Sequence, residues 1–431
     1  MQTLRQVGFA LRPRWYHLLV LALTACSPSP DSATVSAGLI NPTSTEGQVL
    51  DADIAFYEKR LAEDPMSAAD RARLAALYLR RSRERASFDD VGRAADQAER
   101  SLRIREGRNE STWALLASAR LALHDFEGAS DAARELVRLA PERPSHRALL
   151  AEVLLEQGRY DEADSLFRTV ESHSSDLSVA PRLVRWYEIT GHLARARVLS
   201  SHALQLARDQ NLASTEQLAW FHLRAGDMAA RGGDSGVADS LYKRGLALRP
   251  GDHRLLAARA RLAARGQRWQ EVLRLGEAAI VTDLDPSVLG LLRDAWLASG
   301  DTVQAAGYAA AMTTSALSQP GPIHRGWGMH LVDHGEYVSE VLHRVQEELR
   351  TRRDVYGYDL EAWALHALGR HSEAWASATR ALSQGTEDEQ LLRRAAAIAH
   401  SVGEEDSAAV LLAKAAALQP GPLDPAAGRG R

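Results

Sequence analysis

From about residue 50 onward, apolar residues recur at intervals of three and four in runs of about a dozen, and short segments rich in Gly, Pro or Asp interrupt the runs. That spacing gathers the apolar side chains on one helix face. No strand-like alternation separates the runs, so the pattern predicts amphipathic helices joined by tight turns. Small residues then recur every 34 positions: Ala95, Ala129 and Ala163, and, after a break in register, Ala238, Val272, Ala306, Glu340, Ala374 and Ala408. Twelve positions before most of these rungs stands a second small residue, at Ala117, Ala151, Gly226, Ala260, Gly328, Ala362 and Ala396. Helices cross closely only where side chains are small, so the paired columns mark the contact inside successive helical hairpins. Five positions before the rungs, Gly158, Gly233, Gly335, Gly369 and Gly403 supply a residue that tolerates the left-handed conformation closing a helix. Twelve after them, Pro141, Pro250 and Pro420 stop the second helix of a pair.

A 34-residue period of paired helices resembles the tetratricopeptide repeat. The segment Leu149 to Phe167, with its core Glu156-Gln157-Gly158-Arg159-Tyr160-Asp161-Glu162-Ala163, is similar to a repeat of that family nearly residue for residue. The carboxy-terminal stretch Tyr358 to Leu392 resembles a repeat pair common in bacterial members. The resemblance covers about residues 51 to 420. It implies an all-α, right-handed superhelical solenoid of nine to ten hairpins over residues 50–420, with first helices lining a concave groove that receives partners. Hairpins of this kind cannot bury their apolar faces alone and share one core by stacking. Asp294 and Glu340 interrupt columns that want small residues, residues 80 to 92 fit the register poorly, and eight extra residues precede the repeat of Ala238, so Leu204 to Glu216 is expected to hold an extended helix or a loop.

The first 25 residues differ in kind. Arg5, Arg12 and Arg14 precede an apolar run from Leu18 to Ala25, followed by Cys26, the single cysteine of the 431-residue chain. This is the order of a cleavable export signal, and the run is too short to span a bilayer. Leu23-Thr24-Ala25-Cys26 resembles the lipobox of bacterial lipoproteins, which implies that Cys26 is lipidated and becomes the new N-terminus. Ser27 stands where an Asp would imply retention at the inner membrane, so the resemblance points to the periplasmic side of the outer membrane. Residues 26–49 then read as a lipidated Ser/Thr/Pro-rich tether, and 421–431 as a disordered tail. Loss of the three arginines with residues 1–25 takes the formal charge from −4 to about −7. Nucleic-acid binding wants the opposite sign.

Candidate chemistry along the chain is sparse. Gly233-Asp234-Ser235-Gly236 resembles a protease nucleophile segment, but the repeat register makes it a hairpin turn. No phosphate-binding or dinucleotide fingerprint is present in the sequence. His330 and His334, four apart, share a helix face and are weak candidates for a metal, with His324 and His343 nearby in sequence. Placement of His334 just before Gly335 favours ordinary solvated histidines. The expectation is therefore no catalytic site and no cofactor. Arg254, Arg261 and Arg265, spaced by seven and four, form one stripe that the resemblance places on the groove, joined by Arg325, Tyr356 and Trp363 from later repeats. Arg binds carboxylates in bidentate fashion. The expected partner is an envelope protein or peptide with an acidic segment or a free carboxy-terminus, and the expected role is that of a tethered scaffold. The alternatives are a metal-dependent hydrolase or metal-binding factor at His330/His334 and a constitutive subunit that binds through its convex surface. Most of Trp113, Trp220, Trp269 and Trp296 are expected in the core.

Overall fold

The structure, a computed structural model, describes residues 45–210, 214–318 and 323–418. The export signal, Cys26, most of the tether, Pro420 and the tail lie outside the described residues. The chain divides into Met1–Ile40 and Asn41–Arg431, and every described residue belongs to the second unit.

The described residues form α-helices and one 3-10 turn, without a strand. Helix α1 (Thr45–Glu63) leads, beginning five residues inside what the sequence assigns to the tether. Ten hairpins follow: α2 (Ala68–Arg85) with α3 (Phe88–Ile104), α4 (Glu110–Ala122) with α5 (Phe126–Leu139), α6 (Pro144–Glu156) with α7 (Tyr160–Val170), α8 (Ala180–Ile189) with α9 (Leu193–Asp209), and α10 (Thr215–Arg231) with α11 (Ser235–Leu248). The second five are α12 (His253–Arg265) with α13 (Trp269–Ile280), α14 (Pro286–Ala298) with α15 (Thr302–Ser318), α16 (Arg325–Asp333) with α17 (Val338–Glu348), α18 (Val355–Ala367) with α19 (His371–Ala381), and α20 (Glu389–Ser401) with α21 (Glu405–Leu418). None is long and apolar enough to cross a membrane.

The small-residue columns do what close crossing requires. Ala129, Ala163, Ala238 and Ala374 are fully buried, as are Ala117, Ala151 and Ala260 in the opposing column. A Cβ on Gly226 would lie 2.3 Å from the Tyr242 ring, which packs into the space the glycine leaves. Two rungs are misplaced by the sequence pattern: Ala306 is exposed and Glu340 partly so, while the neighbouring Ala305 and Val341 are buried. The pattern of α15 and α17 is slipped by one residue in opposite directions. The five predicted turn glycines all adopt positive φ, and His124 and Gln267, at the same register, take that conformation without being glycine. The poorly fitting stretch 80–92 is the end of α2, a left-handed Ala86, and Ser87 capping α3. The extra residues after Leu204 extend α9 to Asp209. Trp113, Trp220, Trp269 and Trp296 are partly buried against the core, as expected.

Neighbour stacking is not the whole fold. The turn inside the third hairpin meets the junction between α17 and α18: Arg353 N–H donates to the Gln157 carbonyl at 3.0 Å, Arg352 Nε to that of Glu156 at 2.9 Å, and the Tyr160 hydroxyl accepts from Val355 N–H at 2.7 Å. The turn inside the fourth meets the junction between α19 and α20, where Thr386 Oγ1 donates to the Ile189 carbonyl at 2.6 Å and Leu193 N–H to Glu387 Oε2 at 3.0 Å. These partners stand 194 to 197 residues apart. The superhelix therefore returns onto itself after between five and six repeats, and its second turn rests on its first. Further along the same seam, Thr215 Oγ1 donates to Glu46 and Arg249 pairs with Glu84 at 3.6 Å.

Backbone meets backbone at this seam, which gives two glycines a duty beyond turning the chain. A Cβ on Gly158 would sit 2.2 Å from the Arg353 carbonyl oxygen, and one on Gly191 would sit 2.3 Å from that of Gly385, both at positive φ. Gly191→Ala is expected to cost more than about 2 kcal/mol, since a left-handed alanine alone costs about 1–2. Its radius of gyration by small-angle X-ray scattering should rise as the turns part; an unchanged radius and urea midpoint would show that the turns are not held by this contact.

Candidate functional site

The superhelix encloses a cavity of about 2220 Å³ whose wall is built mainly from the first helices of the hairpins, α6, α8, α10, α12, α14, α16, α18 and α20. Its side chains divide into a part that is already satisfied and a part that is open.

The satisfied part lies where the two superhelical turns face one another. Glu188 of α8 receives Arg231 at 2.9 Å, Arg185 at 3.1 Å and Arg224 at 3.3 Å. Arg231 also reaches Asp388 at 3.2 Å and the Tyr356 hydroxyl at 3.3 Å, which joins the first turn to the second. Asp359 of α18 takes Arg394 at 2.8 Å and Arg325 Nε at 3.1 Å. The Arg325 guanidinium lies 4.3 Å over the Tyr356 ring, and that of Arg185 lies 5.4 Å from its centroid. Burial alone would raise the Glu188 pKa, yet Arg231, Arg185 and Arg224 take it down to about 2. Asp388 caps α20 by accepting from Leu391 N–H while it pairs with Arg231, so one side chain serves both helix and seam.

These contacts correct three sequence assignments. Tyr356 is 7% exposed and acts as the hub of the ion network. Arg325 lines the cavity, but its charge is taken by Asp359. Arg254 is absent from the cavity wall; its guanidinium is held by Asp252 at 2.8 Å and Glu216 at 3.1 Å. The seven-residue spacing puts Arg254 and Arg261 on one stripe, but the Arg254 side chain folds back onto the N-cap Asp252 of its own helix.

The open part is formed by α12, α14, α16 and α18. Arg261 and Arg265 are exposed on the cavity wall and meet no carboxylate among the described residues, in contrast to Arg268, Arg293 and Arg393, which pair with Glu271, Glu336 and Glu389. Trp363 contributes aromatic surface, its Nε1 donating to Asp333 at 2.7 Å and its ring stacked on His366. Between them lies a cluster that the sequence pattern did not assemble. His330 of α16 and His334, the residue that caps its C-terminus, have tilted rings with centroids 4.2 Å apart, and Asp294 of α14 reaches His334 Nε2 at 2.9 Å. Donor atoms of these three residues lie within 4.8 Å of one another, and all three residues face the cavity. Burial and the neighbouring His334 push His330 down to about 4; burial opposes charge on His334, but hydrogen bonds to Asp294 and the His330 carbonyl raise its pKa. The expectation of a solvated His334 is thus corrected. His324 lines the cavity elsewhere and His343 lies in a separate shallow depression with Glu340 and Arg344.

Comparison with solved structures agrees with the fold. Human IFIT1, solved as a dimer with PPP-AAAA, aligns over 74% of this chain and 73% of its own with a TM-score of 0.50 at 15% identity. The fold is that of a tetratricopeptide-repeat solenoid. Pseudomonas aeruginosa PilF aligns over 52% of this chain and 95% of its own, with a TM-score of 0.40 and 15% identity. No family model and no curated protein matches the sequence.

The ion network of the solenoid makes a measurable demand. Replacing Glu188 by Gln removes the carboxylate shared by three half-buried arginines, which keep Glu156, Asp227 and Asp388, so the cost stays below the about 3–5 kcal/mol of breaking a fully buried ion pair from one side. Because the folded pKa of Glu188 is depressed, its contribution is complete above about pH 4.5 and is lost as pH falls toward 2. The stability difference between the protein and Glu188→Gln, measured by urea unfolding from pH 7 to pH 3, should shrink over that window; a difference independent of pH would show that the charge of Glu188 does not hold the seam.

Proposed function

We propose that the protein is a membrane-tethered scaffold that holds a segment of another envelope protein in its axial groove and so supports assembly or stability of an envelope complex. The observation that carries this reading is the pair Arg261 and Arg265, exposed on the groove wall without carboxylate partners among the described residues while neighbouring arginines are paired. Charges left over in an otherwise neutralised groove are what a partner's carboxylates complement. Trp363, Leu291, Leu297 and Met329 supply the adjoining apolar surface.

The human IFIT1 structure is a complex with PPP-AAAA. In this chain the formal charge of −4 and the internal pairing of most groove arginines favour an acidic polypeptide over a polyanion. Tethering rests on Cys26 and the segment before it, and it confines the groove to a membrane surface, where two or more acyl chains give stable anchoring.

In-cell crosslinking and capture should recover a partner that is lost, or bound at least tenfold more weakly, when Arg261 and Arg265 are both changed to Glu. A control with the same charge change, Arg244→Glu with Arg274→Glu, alters exposed residues of α11 and α13 that do not line the groove and should retain it. Equal capture by both variants would rule out groove binding and favour the convex surface. Mass spectrometry of the N-terminal peptide should show acylation at Cys26, and Cys26→Ala should abolish both acylation and membrane association; an unmodified cysteine would remove the tether.

A further inference from the structure

We propose that Asp294, His330 and His334 form a binding site for a borderline divalent transition metal of the zinc class, with an open coordination position facing the groove.

Donor chemistry favours such an ion. Two imidazoles and one carboxylate are a donor set that suits Zn²⁺, and three protein ligands with a free fourth position is the arrangement of an open site. Proximity favours it as well. Metal–ligand bonds of about 2.0–2.2 Å place the donors of a tetrahedral site roughly 3.3 Å apart. His334 Nε2 and Asp294 Oδ1 are 2.9 Å apart, and all three donors already fall within 4.8 Å. A side-chain adjustment of about 1 Å closes the set, within the range of rotamer motion.

The protons and lone pairs point the same way. A carbonyl oxygen only accepts, so His334 Nδ1, 2.8 Å from the His330 carbonyl, carries a proton. This is the outer hydrogen bond that fixes a metal-ligating histidine with Nε2 toward the ion. Nε2 faces a carboxylate, so without a metal it must carry a proton too, and a cation would replace that proton between the same two atoms. His330 Nε2 is buried and meets no hydrogen-bond partner among the described residues. A stranded imidazole nitrogen beside an imidazolium–carboxylate pair is costly unless something else binds it. The opposing charge nearby is Arg293, and Glu336 holds its guanidinium at 3.0 Å.

The hairpins also make room for the cluster. Asp294 stands in a column that carries Ala or Gly in most other hairpins, and one turn earlier in the same helix Gly290 lies under the His330 ring, where a Cβ would sit 2.3–2.6 Å from Cε1, Nε2 and Nδ1. Gly290 thus lets His330 lie against α14, within reach of Asp294. The site stands independently of the identity of the groove's partner, although a partner carboxylate or imidazole is a natural fourth ligand.

The test uses the full chain purified without a polyhistidine tag, with zinc alone and cobalt alone as probes. Calorimetric titration with Zn²⁺ should give one site per chain, and Co²⁺ should give visible absorption bands of four-coordinate intensity that excess Zn²⁺ removes. His330→Ala and Asp294→Asn should each weaken Zn²⁺ binding at least tenfold. Gly290→Ala, which removes no ligand, should weaken it by displacing the His330 ring. Circular dichroism and the urea midpoint establish that each variant is folded, and Arg261→Glu serves as a folded groove variant that should keep the metal. Lowering pH from 7.5 to 5.5 should weaken binding as protons compete for the imidazoles. Absence of saturable Zn²⁺ binding to the folded protein, or equal binding by folded His330→Ala and Asp294→Asn, would overturn the proposal.

Discussion

The ion network around Tyr356 is the interaction on which the rest of the structure depends. A repeat array contacts only its neighbours by construction, and nothing in that local logic decides where the superhelix should stop drifting. Here Arg231 spans the boundary, bound on one side to Glu188 of its own turn and on the other to Asp388 and Tyr356 of the next. Asp359 continues the chain of charges to Arg325 and Arg394. Buried ion clusters of this sort add little net stability compared with well-packed apolar groups, because desolvation offsets most of the Coulomb gain. They discriminate sharply, however, since a displaced partner leaves a stranded charge. The network therefore selects one pitch among many that apolar stacking alone would tolerate.

That selection shapes the groove. With the turns in contact through the backbone at Gly158 and Gly191, the wall built by the first helices is held before any partner arrives. A preformed groove spares a partner the free energy of ordering its receptor, one of the main costs that oppose association. It also fixes which charges are available. Arg231 and Arg352 are consumed in holding the turns together, while Arg261 and Arg265 remain open among the described residues. Structure and binding thus draw on the same residue type and divide it by position.

Much of this was legible in the sequence, and the limits follow from the physics. Period, helix crossing points and left-handed turns are local, so the ladder from Ala95 to Ala408 and the glycines from Gly158 to Gly403 report them directly. Cavity-facing helices followed from the register, which is why Arg261, Arg265, Arg325 and Trp363 were all placed on the groove. Pairing across 125 to 197 residues leaves no trace in a 34-residue period, so Tyr356 reads as a free binding group when its hydroxyl meets Arg231 of the first turn, whereas Arg325 is taken by Asp359 one repeat further on. Arg254 failed for a local reason: an arginine two positions after an N-cap aspartate folds back onto it. Asp294 was visible only as a fault in a column, because its partner, His334, lies 40 residues on.

The faults in the repeat are informative when taken together. Ala306 and Glu340, the rungs displaced by one residue, belong to α15 and α17, the second helices of the two hairpins whose first helices carry Asp294, His330 and His334. A sequence that needed only to stack would gain from keeping small residues in these columns, as most of the other hairpins do. Replacing one with an aspartate and shifting the register beside it lowers packing quality unless the substituted groups have another task. Of the three departures only Asp294 lines the cavity; Ala306 and Glu340 lie on the second helices of the same two consecutive hairpins, outside its wall. Asp294 is the departure that faces the groove, and there a local rule of packing gives way beside His330 and His334, where a different chemistry is placed.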